Sequence, residues 1–355
     1  MTSIATFRGA TREIRFPQGL GVVLLLLALV AFGGWRYDGF LGSYNVLSVL
    51  RYSSMFALVS LGMCFVIMTG GIDLSVGSVA ALGSVVSAIL SPYGLLPGLL
   101  GGVLVGAAAG TISGLVITRL KILPFIATLA VMLAASGTAL LLAGNQSVSV
   151  SYDTAFTTLG QGDLLAPWRP EWIDAEDAGW FAGALGFLFG FPTPAWIALA
   201  AYGLGVIVMR WRAFGRHVLA VGGGEEAALL MGLPVGRTIF IVYLISGSLA
   251  GLAGVILAAQ FGAGQPVEGA GWELFAIASV VVGGTLLTGG KGSVVATLAG
   301  SLLLGLIYTI LNFENGMGWI SLSAYWQSVV RGAFLLVVVI LQAKLMQTKP
   351  AQIAK

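Results

Sequence analysis

Two glycine-rich stretches hold the residues of this chain with the most chemical potential. In the first, 69-TGGIDLSVGSVAALGS-84, Asp73 is the only acidic residue. Glycine pairs lack Cβ atoms, so Gly70 and Gly71 allow a sharp turn or a close backbone approach. Asp73 has two compatible readings. It is the N-cap of the following helix, its carboxylate taking free backbone N–H groups, or it stands beside a passage or its gate. The second stretch, 283-GGTLLTGGKGSVVATLAGS-301, repeats the plan, with GGIDLS then VGSV set against GGTLLT then GGKGSV and two extra residues. Lys291 in it reads as a charge that stays on one side of a membrane. A phosphate-binding loop needs G-x-x-x-x-G-K-[ST]. Here the first glycine position is Thr285 and Lys291 is followed by Gly292, so the motif fails twice and the chain is expected to bind no ATP and no other cofactor.

A third stretch is 210-RWRAFGRHVLAVGGGEEAALLMGLPVGR-237. Glu225 and Glu226 suit the positive end of a helix, AALLM continues it, and Gly232 with Pro234 stops it. A two-turn helix is marginal alone, so it must dock on something through Ala227, Ala228, Leu230 and Met231. The partner is either its own membrane domain or a separate protein. The lone Cys64 and lone His217 leave no disulfide and no cysteine- or histidine-based metal site.

The elements that position these stretches follow from composition. Of 355 residues 58% are hydrophobic and 9% charged, against about 25% charged in soluble domains. With a mean hydropathy of +0.99, this is a polytopic, all-α membrane protein. Ten runs approach the ~20 residues a span needs: 19–35, 47–69, 74–91, 97–118, 122–143, 193–209, 238–259, 272–288, 293–311 and 326–343. Placing the N-terminus inside puts 13 of the 17 basic residues on the inner side. The net charge of +3 then reports membrane-facing loops and not nucleic-acid binding. Aromatic anchors such as Trp35, Trp168, Trp196 and Trp272 cluster at the expected outer interface. Residues 1–18 and 346–355 read as inner tails around a membrane domain at 19–345. The outer loop 144–192 is acidic, and its apolar segment 181–191 is too short to span, so it reads as an interfacial or re-entrant helix. Arg51 and Arg331 sit just inside span ends and are expected to anchor by snorkelling.

The chain resembles the permease subunits of bacterial ABC importers for simple sugars, the ribose/xylose/galactose family. The resemblance runs from about 45 to 345 and rests on four stretches: TGGIDLSVGSV (69–79), R-x-K-x-x-PFIATLA (119–130), AVGGGEEAALLMGLPVGR (220–237) and VVGGTLLTGGKGSVVATLAG (281–300). Within the family, 310-ILNFENGMGW-319 and the eighth span are most similar to a galactofuranose importer permease. The resemblance implies a type II importer fold in the bacterial inner membrane, with both termini cytoplasmic. It further implies a second permease subunit (a heterodimer, or a homodimer), cytoplasmic ABC ATPases that carry the ATP, and a periplasmic sugar-binding protein. Glu225, Glu226, Ala227, Ala228, Leu229, Met231 and Gly232 then correspond to the helix seated on the ATPase. Gly70, Gly71, Gly283 and Gly284 flank the path with Asp73, and Ser75, Ser78, Thr128, Thr285 and Asn312 are candidate polar lining groups. The loop 144–192 is longer and more acidic than the family pattern. Two other readings compete: an ABC permease for branched amino acids or another small solute, and an ion-coupled secondary carrier. The carrier predicts ion-coordinating groups at midplane, and charged residues are missing there.

Overall fold

The computed structural model describes residues 20–174, 179–317 and isolated positions between 326 and 340. The expected tails, the tenth span at 326–343, Arg331 and the acidic residues Glu176 and Asp177 lie wholly or mostly outside the described residues. Thirteen α-helices follow in order among the described residues: α1 (Leu20–Arg36), α2 (Ser43–Met68), α3 (Val76–Leu90), α4 (Leu95–Arg119), α5 (Pro124–Ala143), α6 (Thr158–Gln161), α7 (Gly179–Phe189), α8 (Thr193–Trp211), α9 (Ala213–Gly223), α10 (Glu225–Leu230), α11 (Val235–Phe261), α12 (Trp272–Val282) and α13 (Val294–Met317). Among the described residues, α2, α3, α4, α5, α8, α11 and α13 are long and apolar enough to cross a membrane, α3 with the 3₁₀ turn that extends it to Tyr93.

One expected span is not continuous. The run 272–288 is helical only to Val282, because Gly283 and Gly284 end the helix in a left-handed turn (Gly284 φ +84°). Average apolarity does not register such a break. A second difference lies in 210–237, where the stretch expected to hold a single short helix holds two. Arg212 adopts an extended conformation and α9 begins one residue later.

The helices assemble around α2, whose last twelve residues are buried on all sides. A helix apolar all round belongs in an interior. Behind it α11 packs on α4 with glycine against glycine: a Cβ at Gly106 would stand 2.8 Å from the Gly251 Cα, and one at Gly102 3.0 Å from the Gly83 carbonyl oxygen on α3. Within a bilayer, apolar burial gives helices little reason to associate, so close backbone approach between small residues supplies much of the attraction. Thr297 on α13 donates to Cys64 on α2 (3.2 Å), and the Tyr202 hydroxyl on α8 donates to the Ala57 carbonyl of α2 (3.0 Å). Outside this core, Leu26, Leu29 and Val30 of α1 pack in one cluster with Leu306 and Ile310 of α13, and in the turn after α1 Tyr37 and Phe40 stand against Phe313, with the Tyr37 hydroxyl donating to Glu314.

One end of the bundle carries Arg119, Lys121, Arg210, Arg212, Arg216, Arg237 and Lys291 and is termed the basic face. At the other, far end the 144–174 segment is stitched down. Val148–Ser149 pairs antiparallel with Ala263–Gly264, the Ser151 N–H donates to the Ser91 hydroxyl, and Gly160 lies against the backbone at the end of α11. Arg51 pairs with Asp163 of this segment at 3.0 Å. It thus ties a span to the far-end cap instead of reaching out alone. The segment 181–191 forms most of α7, an eleven-residue helix resting against Ile173.

Candidate functional site

At the basic face both glycine-rich stretches end a helix in the same way. Past α2, the Gly70 N–H donates to the Ile67 carbonyl and the Gly71 N–H to that of Val66, with Gly70 at φ +83°. Past α12, the Gly284 N–H donates to Val281 and the Thr285 N–H to Val280. This bond pair is the Schellman motif, and its left-handed residue strongly favours glycine. The structural equivalent of Gly70 is therefore Gly284, one residue later than the sequence repeat suggested. The second connection is also the longer, running ten residues from Gly284 to Val294 where the first runs six from Gly70 to Val76.

Asp73 is 1% exposed, and its carboxylate accepts three hydrogen bonds: from the Ser75 N–H (3.0 Å), the Ser75 hydroxyl (2.6 Å) and the Ser246 hydroxyl of α11 (2.8 Å). The N-cap residue of α3 is Ser75 and not Asp73, which lies two residues ahead of it; the Asp73 carboxylate holds Ser75 in place and ties it to α11. Thr128 is fully buried on α5; its hydroxyl donates to the Pro124 carbonyl (2.9 Å) and accepts from the Leu74 N–H (3.2 Å). Thr285, also buried, receives the Ser293 N–H at 3.4 Å and closes the second connection. Ser78 is half-buried in the first turn of α3. Gly71 has no room for a side chain, since a Cβ would meet the Tyr243 hydroxyl at 2.5 Å, and Gly283 lies against the Ala296 backbone. These groups hold the turns together; of the polar lining candidates, Asn312 is the one on a cavity at the far end.

The two connections touch each other, and α9 touches both. The Gly290 N–H donates to the Met68 carbonyl at 3.0 Å. Gly222 at the end of α9 fits against both groups: a Cβ there would stand 2.5 Å from the Gly290 nitrogen and closer still to the Met68 oxygen. Directly after this junction comes α10. Its Ala228 is fully buried against Val221 and Val235, while Leu229, Leu230 and Met231 are 65%, 89% and 67% exposed. A third Schellman motif ends it, with Gly232 at φ +77° and the Leu233 N–H on the Ala228 carbonyl at 3.1 Å. Ala228 therefore faces the chain's own domain, and the outward apolar surface is Leu229–Met231. Glu225 and Glu226 occupy the exposed first turn.

At the far end, a cavity of about 400 Å³ opens between α2, the end of α11, the 262–271 segment, α12 and α13. Phe56 forms its wall with Trp272 (ring centroids 4.8 Å apart) and Phe275 (4.4 Å). The rim carries Tyr52, Tyr308, Glu268 and Asn312. Residue types alone point to Asn312 and place Trp272 at a lipid interface; they do not single out the other lining residues. A usable signal exists in the spacing: Tyr52 and Phe56, Trp272 and Phe275, and Tyr308 and Asn312 each recur on one helix face at i, i+3 or i, i+4.

A multi-pass helical membrane protein with paired glycine breaks and a short exposed helix on its basic face has the make-up of a transport permease. A profile of the family described as "Branched-chain amino acid transport system / permease component" matches residues 45–339, and the chain belongs to this family. It is similar to the ribose import permease protein RbsC of Bacillus subtilis, at 38% identity over 92% of this chain and 93% of that protein. RbsC of Escherichia coli K12 is 35% identical over 91% and 92%. The L-arabinose transport system permease protein AraH of the same strain is 38% identical over 81% and 79%. The chain is accordingly a permease component and not an enzyme. No solved structure matches it.

Proposed function

We propose that this chain is the transmembrane subunit of an ATP-driven importer that carries a monosaccharide across the bacterial inner membrane by alternating access. The basic face and both termini are cytoplasmic. Cytoplasmic ABC ATPases hold the ATP, a periplasmic binding protein delivers the sugar to the far face, and a second permease subunit, different from this one, completes the path. Galactofuranose is the specific sugar put forward, on the motif at 310–319.

The observation that carries this reading is α10. Its inner side is locked to the permease by Ala228, its outer side offers three apolar side chains, and the α9 end that feeds it touches both glycine turns. An ATPase seated on Leu229, Leu230 and Met231 moves α10, and Gly222 passes that motion to Met68 and Gly290. The test exchanges Glu225→Arg and Glu226→Arg together, and separately Leu230→Asp. Both variants should still reach the membrane, lose uptake by more than tenfold, and recover less ATPase on pull-down. Wild-type uptake in both would remove the coupling role. Because the family description names branched-chain amino acids, competition of uptake by leucine against ribose, arabinose and galactofuranose decides the substrate class.

A further inference from the structure

We infer that the permease itself holds the sugar during transport, in the aromatic cavity at its far end. This rests on the monosaccharide reading above. The cavity of about 400 Å³ falls within the 300–1,000 Å³ range of small-molecule sites, which are mostly apolar walls with a few placed polar groups. Its composition fits one chemistry. A pyranose or furanose presents an apolar C–H face and a rim of hydroxyls. The Tyr52 ring meets Phe261 in a T-shaped arrangement at 5.9 Å and is 48% exposed, which leaves ring surface available to a C–H face. Glu268 makes no hydrogen bond or ion pair among the described residues and supplies strong acceptors for two hydroxyls. Asn312 and Thr309 lie on α13 at the same cavity. Glu268 is exposed, so its carboxylate exchanges water for the hydroxyls of a ligand whose C–H face covers the aromatic wall.

The site's place in the fold gives occupancy a consequence. Trp272 and Phe275 belong to α12, an eleven-residue helix of roughly 16 Å whose other end is the Gly284 turn. Gly290, in the same connection, bonds to Met68. A sugar in the cavity therefore presses on one end of α12 while the junction with α9 governs the other. An occluded sugar and a moved α10 are alternative biases on one element.

The test uses the assembled importer (permeases, ATPase and binding protein) in liposomes, with uptake of radiolabelled D-ribose, L-arabinose and D-galactofuranose measured beside ATP hydrolysis. Tyr52→Ala and Glu268→Gln should each lower sugar uptake about tenfold, the effect of one lost charged or stacked contact, while hydrolysis stimulated by the binding protein stays within twofold of wild type. Tyr52→Phe keeps the ring and should keep uptake. Glu268→Gln should also change the ratio of rates among the three sugars, which a purely structural role leaves constant. Wild-type uptake in Tyr52→Ala and Glu268→Gln overturns the subsite alone. Equal loss of uptake and hydrolysis in all three variants overturns it as well, by assigning the region to docking or assembly. A wild-type importer that moves none of the sugars overturns the monosaccharide reading, and the subsite with it.

Discussion

Gly222 shows how much a single missing Cβ decides here. Its neighbours are backbone atoms, the Met68 carbonyl and the Gly290 N–H, which cannot swing aside as a side-chain tip can. Gly223, the next residue, has open space where its Cβ would be. Gly222→Ala is therefore expected to force α9 away from the two turns and lower the melting temperature of the purified protein by several degrees. Gly223→Ala should leave it within about a degree, and thermal unfolding in one detergent compares them. Equal melting temperatures for the two variants would mean that the three-way junction does not constrain the fold. Asp73 makes the related point for polar groups. A buried carboxylate is expensive unless its oxygens are satisfied, and three donors from Ser75 and from Ser246 of α11 satisfy this one.

Among the elements, α4 and α11 carry the closest approach. Gly98, Gly102, Gly106, Gly110 and Gly114 recur every four residues, so they fall on one side of α4 and meet α11, α3 and the 155–157 turn. Filling such an interface costs about 1–3 kcal/mol where neighbours can shift, and more where they are backbone. Gly106→Val should therefore abolish stable insertion or drive the protein into aggregates on size-exclusion chromatography, whereas Gly137→Ala, with nothing near its Cβ, should elute as wild type. At this scale α12 also departs from the sequence expectation. Its residues are as apolar as those of a full span, yet two glycines stop it after three turns. The result is a half-helix ending on a turn, which membranes tolerate only where protein or a water path covers the freed backbone. Here α13, α2 and α9 cover it.

For the whole molecule, the distribution of charge predicts sidedness. The basic face holds α9, α10 and both glycine turns; the far face holds the 144–174 cap, Arg51 with Asp163, and the aromatic cavity. Cys64 is buried, so new cysteines can be labelled against a quiet background. Met231→Cys in sealed right-side-out vesicles should resist a membrane-impermeant maleimide until the vesicles are opened, and Tyr152→Cys, whose parent residue is 67% exposed at the far end, should react at once. The opposite pattern would invert the orientation and place α10 away from any cytoplasmic ATPase.

Composition and hydropathy sufficed for the membrane class, because apolar excess on this scale has no other solvent. Glycine and proline punctuation located most helix ends, and Gly232 was legible as a stop since a left-handed turn needs a residue without Cβ. The short helix at 225–230 was legible from its acids and its stop, whereas α9 was not, because basic residues on an amphipathic surface helix look like those of a loop. Which face of α10 is free was decided only by tertiary contact: Ala228 and Leu230 are both apolar, and just one finds Val221 and Val235. The same holds for Ser75, Thr128 and Thr285, small polar residues whose type fits a path lining equally well but whose hydroxyls are consumed, that of Ser75 by the Asp73 carboxylate and those of Thr128 and Thr285 by neighbouring backbone. The aromatic cavity needed tertiary structure most of all. Its walls come from α2, α11, α12 and α13, from Asn45 to Phe313 along the chain, and spacing along one helix gives each pair of rings a face but not the partner that face will meet.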